Sequence, residues 1–430
     1  MNQDERRHST SLETSVGIGQ LTLAEHSLCP LHAALSLQPN LVHETEFDYT
    51  GPDRQRECGR ARVTCPLGLL AGDELYLWGL LGLTLAQPDS DGQLYATPHY
   101  CLRQLGLIDQ KSRRGGRQYQ QFSAAIERLS AISYQNTAFY DPIRREHRKV
   151  SLRFFSYSLP LDPRSSRVWR IVWDPLFFEL VRPVGGHLLF DIELYRELDP
   201  ASRRLFLLLS KMFWRRTRTP GFELRHLAVD VLGFSPDLAD RDLRRKLARC
   251  VDRLQQIGVV APCDCLFQTV GRRTCTLRLM RGPYFQRRRR LRNLTLPLQD
   301  TALFDSLKSI GFTPKSIGWL RRTFPITLLR EWADITLAAR ERKGERFFRK
   351  SPQAWFVDNV RNAADGTRTP PDWWHALQKA EQTGQRRSGS SHPERAIDPA
   401  SVGESTESLR QFVRNTVAAA RCGSTPSTKC

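Results

Sequence analysis

Four stretches of the chain read as helices, and two of them, the second and the fourth, repeat their apolar residues every three or four positions, the spacing of one buried helix face. The four lie at about 72–86, 117–132, 201–214 and 237–258. The first contains "LYLWGLLGLTLA" (75–86), which is apolar all round and reads as a buried helix; 12 residues are too few to span a bilayer. In the second, Phe122, Ile126 and Leu129 make the apolar stripe. In the fourth the stripe is Leu243, Leu247, Cys250, Val251, Leu254 and Ile257.

Between the members of each pair lies a shorter segment, "TPHYCLRQLGL" (97–107) in one case and "FELRHLAVDVLGF" (222–234) in the other. Both end in Leu-Gly and an apolar residue, Leu105-Gly106-Leu107 and Leu232-Gly233-Phe234. A glycine there supplies the left-handed turn that a helix-turn-helix needs. After each long amphipathic helix the pattern changes to two strand-like runs: 131–141 and 148–160 in the first copy, 259–270 and 272–282 in the second. Helix, helix-turn-helix, hairpin is the order of a winged helix, and the chain writes it twice.

The predicted fold is therefore mainly α with small β-hairpins (α+β). Its 430 residues divide into a partly disordered leader (1–60), a winged helix (61–165), a linker read as a strand pair plus a short helix (166–199), and a second winged helix (200–283). A basic linker (284–300), a small helical module (301–378) and a tail (379–430) follow. The tail is rich in Ser, Gly, Pro and charge and buries too little to fold alone. Within it, "ESLRQFVRNTVAAA" (407–420) reads as a frayed terminal helix.

Charge changes the picture. Lys and Arg number 65 against 45 Asp and Glu, a formal net charge of +20. Ten of the 65 are lysine, so 55 are arginine. Such an excess repels itself in a compact state, and a polyanionic partner is the usual reason for it. Arginine's planar fork suits phosphate and guanine edges. Double-stranded DNA is the expected partner. No secretory h-region follows the charged N-terminus, and the ten cysteines lie irregularly, as reduced thiols do, so a cytoplasmic location without membrane contact is expected.

With Phe122 set toward the core and about 100° per residue, Arg117, Gln120, Gln121, Ala124 and Arg128 fall on the opposite side. Arg and Gln match guanine and adenine edges. Arg113 and Arg114, with Gly115 and Gly116, sit at the N-terminus, where free N–H groups favour phosphate. On the second long helix Arg241, Arg245 and Arg249 point away from the stripe. Like charges one turn apart repel by a few tenths of a kcal/mol per pair, so this row is expected to meet DNA, partly through phosphates. Arg272 and Arg273 stand at an expected wing tip, and "RRTR" (215–218) and Arg287, Arg288, Arg289 and Arg290 read as backbone clamps.

The segments "LTLAEHSLCPL" (21–31), "VTCPLGLLAGDELYLWGLL", "GRQYQQFSAAIERLSAISYQN", "WDPLFFEL" (173–180) and "LDPASRRLFLLLSKMFW" resemble plasmid replication initiators of the replication initiator protein A family. The resemblance covers about residues 17–282. It implies paired winged helices on directly repeated origin sites, recruitment of the host initiator and replicative helicase, homodimerisation in some members, and often repression of the protein's own gene. Residues 303–362 depart from that pattern.

Catalytic chemistry is not expected. The chain has no G-x-x-x-x-G-K-[ST] and no His-x-His or His-Glu-x-x-His pair. Cys250, Cys263, Cys265 and Cys275 have the spacing C-x12-C-x-C-x9-C, without the short knuckle of a zinc site, so no metal or cofactor is predicted. The alternatives are a winged-helix transcriptional regulator and a nicking initiator or relaxase using a tyrosine.

Overall fold

The computed structural model describes residues 16–388 except 52, 54, 88–90, 109–115, 161, 163–164, 166, 184, 264–265, 271–273 and 288–300. Residues 1–375 form one compact unit and 376–430 a second, whose described part is the end of the helix Asp372–Ser388.

The first unit opens with β1 (Val16–Gln20), α1 (Ala33–Ser36) and the hairpin β2 (Leu41–Thr50) and β3 (Arg56–Cys65). The first winged-helix segment then runs α2 (Glu74–Leu85), β4 (Gln93–Ala96), α3 (Pro98–Gln104), α4 (Gly116–Ser130). It continues with β5 (Ser133–Asp141), β6 (Glu146–Leu152), β7 (Phe155–Ser158) and β8 (Trp169–Trp173). After α5 (Pro175–Val181), β9 (His187–Asp191) and α6 (Ile192–Glu197) comes the second copy. It comprises α7 (Pro200–Phe213), β10 (Phe222–Glu223), a π-helical turn (His226–Val231), α8 (Asp240–Gln256), β11 (Phe267–Val270) and β12 (Thr274–Leu277). Then follow α9 (Tyr284–Arg287), α10 (Ala302–Ile310), α11 (Pro314–Thr323), α12 (Ile326–Lys343) and α13 (Pro352–Ala364).

Apart from the β5–β6 hairpin inserted after α4 in the first, both copies have helix–strand–helix–helix–strand–strand order, closed by an antiparallel sheet whose last strand is central: β4-β8-β7 and β10-β12-β11. The architecture is mixed α+β and winged-helix-like. The predicted stripes face inward: Phe122, Ile126 and Leu129 on α4 are buried, joined by Ala125, and on α8 Leu243, Leu247, Cys250, Val251 and Leu254 are buried while Ile257 is half-buried. Phe122 stacks on Trp169 with centroids 5.4 Å apart, which ties α4 to the last strand of its sheet.

Strand partners differ from the sequence reading. The runs at 131–141 and 148–160 do pair with each other as the hairpin β5–β6, but that hairpin is not the wing, and only the end of the second run, β7, enters it. β5 and β6 instead join the leader hairpin in a four-stranded sheet, β2-β3-β5-β6. The wing is β7 with β8, which takes Trp169–Trp173 out of the linker. An alternating pattern says that one face is buried, not against which strand, and pairing is settled by distant apolar partners. Here the β2–β3 hairpin supplies Phe47, Ala61 and Val63 beside Tyr134, Phe139 and Leu152. The described leader is thus ordered. The linker's strands also do not pair with each other: β9 pairs with β1, from Val16↔Asp191 to Gln20↔His187.

One apolar core runs through both copies. The segment 21–31 straps them together. Ser27 donates from its N–H and its Oγ to the Asp230 carbonyl, each at 2.8 Å, and the Leu31 N–H donates to Gly233 at 2.8 Å. The π-helical turn shifts the ladder by one residue and leaves that carbonyl to Ser27. Beneath the strap Arg204 of α7 donates to Glu74 of α2 through Nε (3.0 Å) and Nη2 (2.7 Å), both side chains being about 5% exposed. The helical module packs on the first copy: Arg167 makes a two-pronged pair with Asp334 (3.0 and 2.9 Å), and Arg103 pairs with Asp305 at 3.3 Å.

Candidate nucleic-acid interface

Each winged-helix-like copy turns its longest helix outward by the same device. The first helical element of each helix-turn-helix, α3 and the π-helical turn, closes on a left-handed glycine, Gly106 (φ 64°) and Gly233 (φ 81°). An arginine braces each turn. Arg196 Nη1 donates to the Leu105 carbonyl (3.0 Å) and Arg204 Nη1 to the Leu232 carbonyl (2.7 Å), the residues just before the glycines. A β-carbon on either glycine would run into that guanidinium. The His99 ring nitrogen Nδ1 and the Tyr119 hydroxyl, 2.8 Å apart, further hold α3 to α4.

With the stripes packed inward, Arg117, Gln120 and Gln121 of α4 are exposed. Arg128 is not part of that face. Its Nε and Nη2 donate to the two carboxylate oxygens of Asp73 at 2.7 and 2.8 Å, and the pair is largely buried. The outward place predicted for it rested on helix phase alone. Asp73, just before α2, collects a residue at the edge of the polar face, and a two-pronged pair leaves its fork committed.

On α8 Arg241, Arg245 and Arg249 are exposed, as are Arg244 and Arg253. The helix's own acids barely offset them. Asp240 pairs with Arg225 (2.9 Å) and Asp242 with Arg245 (3.1 Å), the latter pair on the surface. Surface pairs of this kind are worth well under ~1 kcal/mol, so arginine can exchange its carboxylate for a phosphate at little cost. Arg244 was missed by sequence reasoning. It lies one helical turn from Arg241, and widening the outward arc by one residue would have included it.

The basic turn after α7 is exposed throughout, from Trp214 to Arg218. Trp214, at the end of the apolar helix α7, is 75% exposed. Arg113, Arg114, Arg272, Arg273, Arg288, Arg289 and Arg290, together with the Arg287 side chain, lie outside the described residues.

A cavity of about 770 Å³ on the four-stranded sheet has a different character. Glu44, Glu46 and Asp230 line it with Arg60, Arg62 and Lys149, and Glu46–Arg60 (3.0 Å) and Glu44–Arg62 (3.4 Å) are paired across strands. Three acids against three bases make a balanced surface, not one for a polyanion. Among the described residues no cluster of His, Cys, Asp and Glu is placed to hold a metal, and no helix is long and apolar enough to cross a membrane. Cys250 and Cys275 are buried in the core.

No family model matches the sequence, and no curated protein is matched. Among solved structures the fold is similar to domains 2 and 3 of RctB, with a TM-score of 0.41 and 13% identity over 61% of this chain and 98% of that one.

Proposed function

We propose that this protein is a replication initiator that binds repeated double-stranded sites at an origin, plasmid-borne as the sequence resemblance implies, through its two winged helices. It acts by binding and not by catalysis. The observation that carries this reading is the repeat: two copies of one topology each expose a long helix whose outer face is basic or amide-bearing. Gln120 and Gln121 supply base reading from α4, and the arginines of α8 supply phosphate and guanine contacts. Two such helices in one compact unit match two half-sites on one duplex, with about 34 Å, one helical turn, between half-sites. Recruitment of the host initiator and helicase, and homodimerisation, belong to this proposal as the resemblance implies them.

The test starts by selecting duplexes from a random library with the full-length chain. Two half-sites per footprint are expected, with a log–log salt slope of about −5 to −9 for six to ten phosphates. Gln120→Ala/Gln121→Ala relaxes sequence preference more than total affinity. A plasmid whose only origin carries the selected sites replicates when the chain is supplied. Repression of an adjacent promoter without replication would replace the initiator with a transcriptional regulator, and nicked or covalently tagged plasmid would replace it with a relaxase.

A further inference from the structure

The helical module repeats the feature that organises the two winged helices. Leu105-Gly106-Leu107 and Leu232-Gly233-Phe234 recur as Ile310-Gly311-Phe312 between α10 and α11. Gly311 is left-handed (φ 112°). Its N–H donates to the Lys308 carbonyl (2.9 Å), and the Phe312 N–H reaches back to Leu307 (3.1 Å). The first copy uses the same two bonds, Gly106 to Arg103 (2.9 Å) and Leu107 to Leu102 (2.8 Å). At Gly233 the π-helical turn widens the pattern by one residue, so that the Phe234 N–H donates to Ala228. The same cap at Gly258 leads back into extended chain. What sets the three turns apart is therefore the cap, its apolar flanks and the helix that comes next.

In the third case that helix is close. Thr313 caps α11 by accepting from the Ser316 N–H (3.3 Å), and Pro314 occupies its first turn. Ile317 and Leu320 face inward, and Phe312 packs edge-on against Phe356 of α13. Lys315, Trp319 and Arg322, at i, i+4 and i+7, form one exposed stripe, with Trp319 39% exposed. At Gly318 a β-carbon would meet nothing within 4 Å, so the backbone there is open to close approach. No Asp or Glu occurs between Asp305 and Glu331, a span that holds Lys308, Lys315, Arg321, Arg322 and Arg330. Arg361 of α13 adds its charge above the Trp319 ring, 5.8 Å from the centroid.

We infer that α10 and α11 are a third helix-turn-helix, and that the Lys315–Trp319–Arg322 face of α11 holds duplex DNA beside the site bound by α4 and α8. An acid-free helix of ten residues after a three-residue turn is the shape that enters a major groove. Lys315 and Arg322 hold phosphates, and Trp319 lies against sugar or a thymine methyl. This rests on the DNA-binding reading above and extends the contact into a part of the chain that reading does not use.

The test uses the full-length chain and its selected duplexes. Lys315→Glu/Arg322→Glu is compared with Arg349→Glu/Lys350→Glu, which makes the same charge change at exposed positions off α11. Loss of two phosphate contacts lowers the salt slope by about 1.8 and shortens the footprint at one end. The control keeps the full footprint, and Trp319→Ala shortens it without altering the slope. An unchanged footprint and slope in the α11 variant would overturn the third element while leaving α4 and α8 in place. Equal losses in both charge variants would reduce the effect to the general field and also overturn it. A wild-type chain that enriches no duplex would sink both readings.

Discussion

Glu74→Gln is expected to be the most damaging isosteric change in the protein. Glu74 and Arg204 are each about 5% exposed, and they join the first helix of one winged-helix copy to the first helix of the other. Arg204 spends its whole fork in the core: Nε and Nη2 on Glu74, Nη1 on the Leu232 carbonyl, and Nη2 also 3.3 Å from Cys29 Sγ. Gln keeps the shape and removes the charge. The guanidinium is then buried with neutral partners only, a situation that costs about 3–5 kcal/mol. Against a total stability of about 5–15 kcal/mol, that is a large part of the margin. Arg204→Met is expected to cost a similar amount by stranding the carboxylate. Glu74→Leu/Arg204→Met removes both charges and leaves chiefly the Leu232 carbonyl unsatisfied, about 1–3 kcal/mol. The double variant should thus be more stable than either single one. Urea unfolding of the full chain, followed by far-UV circular dichroism, reads all three. Single variants that each lose less than about 1 kcal/mol, or losses that simply add in the double variant, would refute the reasoning.

Two further outcomes follow from the same structure. Gly233→Ala sets a β-carbon 2.8 Å from the Cys29 carbonyl oxygen at φ 81°, whereas Gly318→Ala meets open space inside α11. The first should lose at least about 1–2 kcal/mol and the second gain about 0.5–1 kcal/mol, measured as midpoint shifts in the same urea titration. Stability should also peak near neutral pH. Burial lowers His26 to about 4 and His43 to about 3, so below pH 6.5 the unfolded chain takes up protons that the folded one does not. Each histidine then costs up to about 1.4 kcal/mol per pH unit as the pH falls. His226 is shifted the other way by its hydrogen bond to Asp230 and by Asp48, so its contribution is present in acid and fades as pH rises through its folded value. His226→Asn should flatten only the first part of the alkaline limb, below the range where buried thiols such as Cys65 and Cys250, pushed up to about 11, add their own loss; an early loss that survives the substitution would show that another group carries it.

The local sequence determined the helices and their inner faces. Phe122, Ile126 and Leu129, or Leu243, Leu247 and Leu254, can be buried together only on a helix, because only the 3.6-residue period puts them on one side. Leu-Gly followed by an apolar residue marked both turns for an equally local reason: a left-handed backbone needs glycine. The exposed Arg and Gln residues of α4 and the arginine row of α8 were legible as the remainder of those faces. Tertiary structure decided what depends on distant residues. Strand partners are of that kind, so the hairpin at 133–152 went to the leader and Trp169–Trp173 became a wing strand. So is the fate of single charges: Arg128 is claimed by Asp73, 55 positions away, and Arg204 by Glu74, 130 away, while Arg117 on the same helix as Arg128 stays exposed. Periodicity fixes the direction in which a side chain leaves its own helix, and only the assembled fold decides what stands there to meet it.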